Sequence, residues 1–225
     1  MIVPSLRLAL AQLPDPTFRR VLWRSLLVSM AVFAVLAVVL WFGVAMLPET
    51  EQTWLDWVIG FASGVGFFVA MLLLFPAVMT AAVGLFLDDI ADAVEQRYYP
   101  GDPRGRALPF WPALGGSLRF LGIVIGVNLL LLPIYGVLIF FPPFMYALSL
   151  LVNGFLVSRE YFEVVAWRYL PRSEADRLRR RHRGDLWLCG VIIVLLLTIP
   201  LINFVVPIVA TAFMVHVYKR LQATG

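Results

Sequence analysis

A run of 23 residues without a single charge, Ser25 to Leu47, constrains this chain more than any other feature. As a helix it extends about 34 Å, enough to cross a hydrocarbon layer of about 30 Å. Inside that layer the backbone has no water to bond, so the segment is read as a transmembrane helix. The acidic stretch Pro48 to Thr53 then forms a turn, and the apolar run from Trp57 to Leu87 is long enough to return. Gly60, Gly64 and Gly66 recur along that second helix, where small residues let backbones approach closely. With 61% apolar and 14% charged residues, a water-soluble globule is excluded, and so is a disordered chain. No cleavable leader is evident before Ser25, so Met1 is taken as the start of the mature chain.

Two further apolar blocks carry prolines. Between Arg119 and Arg159 no residue is charged, but Pro133 and the Pro142-Pro143 pair leave arms of Phe120 to Leu132 and Phe144 to Ser158. Each arm reaches about 20 to 23 Å, short of a full crossing. The block Leu186 to Tyr218 is broken near its middle at Ile199-Pro200-Leu201-Ile202-Asn203. Both blocks are therefore expected to be hairpins that enter and leave by the same face, with each break covered by protein or lining a cavity.

Charge sets the orientation. The 18 basic residues fall as four before Ser25, four in Arg97 to Arg119, eight in Arg159 to Arg183 and two at Lys219-Arg220, with none in the Pro48 to Thr53 turn. The positive-inside rule puts both termini and both basic loops in the cytoplasm. This placement accounts for the basic pI of about 9.6 without a nucleic-acid partner.

The expected architecture is an all-α integral membrane protein, one membrane domain over residues 1–225. Residues 1–24 hold an interfacial amphipathic helix, Val3 to Leu13, and a turn. Two long transmembrane helices follow at 25–47 and 54–90, with partially inserted hairpins at 118–168 and 184–220. A basic cytoplasmic helix at 172–183, capped by Ser173, lies between the hairpins.

Motifs for chemistry are sparse. His182 and His216 stand at no metal-ligand spacing with Cys, Asp or Glu, and Cys189 alone can form neither a disulfide nor a redox pair. No Walker loop is present, and no nucleophile-and-base pair or metal set can be assembled from these residues, so neither a metal, a cofactor nor an enzyme activity is expected. The segment Pro14-Asp15-Pro16-Thr17-Phe18-Arg19-Arg20 places two arginines where the first membrane helix begins. A helix start offers free N–H groups and the positive dipole end, to which Arg19 and Arg20 add forked donors for an oxyanion. Anchoring at lipid headgroups is the other reading of the same pair. Arg159 and Glu163 are spaced to pair across one helical turn, with Glu160 between them, as a structural bracket at the membrane surface or as part of a conduction pathway. Asn128 and Asn153 either tie hairpin arms together or line a pathway, Asn203 either caps the break at Pro200 or contacts substrate, and His216 is a core or interfacial residue or a proton relay.

The run Arg159-Glu160-Tyr161-Phe162-Glu163, the segment Arg179 to Arg183, and the block from Ile199-Pro200-Leu201-Ile202-Asn203 through Pro207 and Thr211-Ala212 to His216 resemble the CysZ sulfate-permease family over most of the chain. The resemblance implies a bacterial inner-membrane protein that takes up sulfate for cysteine synthesis, working as an oligomer of two long helices and two partially inserted hairpins. It implies a sulfate site at Thr17-Phe18-Arg19, with Arg20 next, where Thr17 stands at the family's glycine. A non-transporting scaffold, whose Arg172 to Arg183 helix binds anionic lipid or a protein, is the alternative.

Overall fold

The computed structural model describes residues 1–46, 53–107, 109–199 and 202–223. Among them the chain is helical, with no strand. The order is α1 (Ile2–Ala11), α2 (Pro16–Ala45), α3 (Thr53–Gly84), α4 (Leu87–Tyr98), α5 (Phe110–Leu138), α6 (Pro142–Ala166), α7 (Arg172–Arg181), α8 (Arg183–Leu197), a 3-10 turn at Ile202–Phe204, and α9 (Val206–Ala223). The expected turn with Glu49 and Glu51, and Pro200 itself, lie outside the described residues.

By length and composition Pro16–Gly43 can cross a membrane, with mean hydropathy 2.6 over its most apolar stretch. That stretch is almost wholly uncovered by the rest of the chain: Leu27, Val35, Val39 and Trp41 all face outward. The opposite side carries Phe18, Val21, Ser25, Ser29 and Phe33, a buried stripe at helical spacing. Ser29 donates to the Ser25 carbonyl at 2.8 Å and meets the Met79 sulfur of α3. Phe33, Phe75 and Phe204 then join α2, α3 and the 3-10 turn through ring contacts of 6.1 and 5.7 Å.

Three boundaries differ from the sequence reading. The helix expected at 54–90 ends at Gly84, and a separate α4 begins at Leu87. Breaking there puts Asp88 and Asp89 in the first turn of α4 and Arg97 in its last, the arrangement a helix dipole favours. Pro133 lies inside α5, so the two arms expected to be about 20 to 23 Å are helices of 29 and 25 residues, about 43 and 37 Å long, and are not too short to cross a layer of about 30 Å. A proline removes one backbone bond, whereas ending the helix in an apolar layer would strand several, so continuing through Pro133 costs less. The Pro142-Pro143 pair instead occupies the first turn of α6, where a missing N–H is harmless. Finally, α7 starts at Arg172 behind Pro171 and stops at Arg181, so Ser173 is inside the helix and does not cap it.

At the centre stands α9. Every residue from Val206 to Lys219 is buried, so this helix is apolar and covered on all sides. Helices α1, α4, α6 and α8 pack around it. α1 does so through Ser5 and Ala9, small enough to bring the two axes close. The most extensive helix pairing is α6 with α8, not one arm of a hairpin with its own partner. Gly154 and Gly190 make that crossing possible: a Cβ on Gly190 would lie 1.9 Å from the Gly154 carbonyl oxygen.

Candidate functional site

The foot of α2 is built by a cap. Asp15 stands before Pro16, and its side-chain Oδ1 accepts the Thr17 N–H at 2.9 Å while its carbonyl accepts the Arg19 N–H at 3.1 Å. Its other carboxylate oxygen meets Arg97 of α4 at 3.4 Å. A carboxylate of the chain therefore already sits at the positive end of this helix.

The four residues implied there separate by role. Phe18 is fully buried and anchors α2 to the core, so it offers nothing to a ligand. Thr17 is half-buried, with its amide held by Asp15. Arg19 and Arg20 are exposed, and among the described residues neither side chain has a hydrogen bond or ion pair. Two adjacent guanidiniums thus remain available one turn into a membrane-length helix.

The other polar positions do not join them. Arg159 Nε donates to Glu163 at 2.7 Å, the pairing their spacing implies, and Arg179 of α7 approaches the same carboxylate at 3.9 Å. Glu160 is half-buried and has no hydrogen bond or ion pair among the described residues. Asn128 and Asn153 donate back to Val124 and Ser149 on their own helices, so these bonds cross no helix interface. At Asn203 the backbone N–H closes the turn onto Ile199 at 3.2 Å, and no side-chain amide bond does so among the described residues. His216 is enclosed beside Tyr98 and Tyr99, with Nδ1 2.8 Å from the Tyr99 hydroxyl.

A polar hub that the sequence reading passes over links α4 to the turn after α6. The Arg168 guanidinium is buried and pairs with Asp88, Asp92 and Glu95, the last at 3.2 Å. Tyr169 donates its hydroxyl to Glu95, and Glu95 accepts the Gly105 N–H at 3.0 Å. Burial alone would disfavour the Arg168 charge, but Glu95, Asp92 and Asp88 outweigh it and hold its pKa above the ordinary value. Burial and the bond to Glu95 push the Tyr169 phenol up. The signal lay in the spacing of Asp88, Asp92 and Glu95, which share one face of a helix.

Nearby, Lys219 reaches Asp102 at 3.2 Å and lies over the Tyr169 ring at 4.7 Å. No group of His, Cys, Asp and Glu among the described residues is arranged to hold a metal ion. The arrangement offers exposed cationic donors at one end of an apolar bundle, chemistry suited to binding an anion.

The sequence model of one protein family, described as sulfate transporter CysZ/etoposide-induced protein 2.4, matches residues 5–207. No curated protein matches the chain.

Proposed function

We propose that this chain, which belongs to the sulfate transporter CysZ/etoposide-induced protein 2.4 family, is an inner-membrane permease that passes sulfate into the cell for cysteine synthesis. The observation that carries the site is the unpaired arginine pair, Arg19 and Arg20, at the foot of α2. Their forked donors suit a tetrahedral dianion, and the first turn of the helix adds its dipole. Asp15 shares that end of the helix, so the guanidiniums must supply more of the attraction than a bare helix start would require.

In this reading both termini are cytoplasmic, and α5–α6 and α8–α9 each begin and end on that side; the lengths of α5 and α6 no longer argue for shallow insertion. Several copies together build the pathway, because the outward faces of α2 and α5 are apolar and the polar side chains Asn128, Asn153 and Asn203 are scattered. Binding of radiolabelled sulfate to purified protein, competed by sulfite, selenate and phosphate, tests the assignment. Arg19→Ala/Arg20→Ala is expected to weaken binding by about two orders of magnitude, since each charge-assisted contact is worth about 1.5 to 3 kcal/mol. Lys at both positions should recover only part, for want of the planar fork. Unchanged affinity in a folded double-Ala protein would remove these residues from the site, and full recovery by Lys would favour headgroup anchoring.

A further inference from the structure

The loop between α4 and α5 walls a cleft of about 930 Å³ whose far side is the turn after α6 and the end of α9. Three bonds pin this loop: the Gly105 N–H to Glu95, the Arg106 N–H to the Arg168 carbonyl at 2.9 Å, and the Pro103 carbonyl to Lys219 at 3.3 Å. Gly105 is pressed so closely onto the hub that a Cβ there would come within 2.7 Å of Arg168 Nε. On either side of it, Arg104 and Arg106 line the cleft.

The hub carries two more carboxylates than its one arginine balances, while two basic side chains on the cleft wall have no acidic partner of their own. Arg168 is matched by Asp88, Asp92 and Glu95, and Lys219 by Asp102. The side chains of Arg104 and Arg106 have no hydrogen bond or ion pair among the described residues. Two arginines two residues apart on a pinned loop thus line one wall of the cleft, with Trp167 and Tyr169 in the opposite wall.

We propose that this cleft binds a phosphate- or sulfate-type oxyanion through Arg104 and Arg106, arriving either free in solution or as the headgroup of an anionic phospholipid. The pinned loop fixes the backbone of both arginines before a ligand arrives, which lowers the ordering cost of a shared contact. The volume exceeds what one inorganic anion fills, so there is room for an organic group beside the aromatic wall. None of these residues is shared with the foot of α2.

The test uses the full chain in phosphatidylcholine nanodiscs, in an Arg19→Ala/Arg20→Ala background so that only the cleft can respond. Inorganic phosphate and sulfate are titrated calorimetrically, and phosphatidylglycerol retention from mixed vesicles is read by native mass spectrometry. Adding Arg104→Ala/Arg106→Ala should reduce binding at least tenfold, whereas removing two exposed charges elsewhere, Arg180→Ala/Arg181→Ala, should not. A loss confined to the inorganic anions identifies a free ligand, and a loss confined to phosphatidylglycerol identifies a headgroup. Equal behaviour of the two double variants, or no binding in the starting background, overturns the proposal. Because the parent protein's sulfate binding is measured separately, failure here is distinguishable from failure of the permease reading.

Discussion

Gly190→Ala would probe the close crossing of α6 and α8. The added methyl would sit 1.9 Å from the Gly154 carbonyl oxygen and 2.6 Å from the Ser158 Cβ. Ordinary contact between such atoms is near 3.5 Å, so α6 and α8 would have to separate by more than about 1 Å. Most of the clash is with backbone, which has no rotamer to change. Overpacking of this kind costs about 1 to 3 kcal/mol, and the upper end applies here. Alanine's better helix propensity returns about 1 kcal/mol, leaving a net loss of about 2 kcal/mol. Reversible unfolding of detergent-solubilised protein, followed by tryptophan fluorescence, measures it. Gly122→Ala is the control, because a Cβ there meets nothing within 4 Å among the described residues, and it should be neutral or slightly stabilising. If Gly190→Ala is as stable as the parent, α6 and α8 do not cross as described.

Arg168→Met should destabilise by about 3 kcal/mol in the same unfolding assay, because it leaves the buried Glu95 carboxylate without its counter-charge, and Arg168→Lys should recover only part. Equal stability of the Met variant would show that the hub is dispensable. Asp15→Asn keeps a capping oxygen but removes the competing negative charge at the foot of α2, so stability should change by less than about 1 kcal/mol while sulfate affinity rises severalfold. Weaker sulfate binding would mean that Asp15 helps to organise the site. For topology, single cysteines placed in a Cys189→Ala background at Glu49 or Glu51 should label from outside, and those at Phe140 or Thr198 should not. Outside labelling at Phe140 or Thr198 would turn the hairpins into full spans.

The apolar runs and their breaks were legible because hydropathy and proline report directly on where a helix can run in an apolar layer. The start of α6 at Pro142 and the interruption after Leu197 follow from that. Pro133 misleads, since the same residue can end a helix or sit inside one, and which is cheaper depends on the surroundings. The central position of α9 was not legible. Val206 to Val215 is as apolar as a lipid-facing segment, and hydropathy cannot distinguish burial in protein from exposure to lipid. At the foot of α2 the adjacent arginines were plain, but Asp15-Pro16 also carries the pattern of a cap followed by a first-turn proline, and that cap changes the electrostatics of the site. Arg168 was hidden because its three carboxylate partners lie more than seventy residues away in sequence.

The most direct test of the central claim is uptake of radiolabelled sulfate into proteoliposomes holding the purified protein, compared with protein-free vesicles and with Arg19→Ala/Arg20→Ala. The account predicts protein-dependent sulfate entry that the double substitution abolishes while the protein stays folded and inserted. Entry no faster than in protein-free vesicles would contradict it and leave the chain as a membrane scaffold.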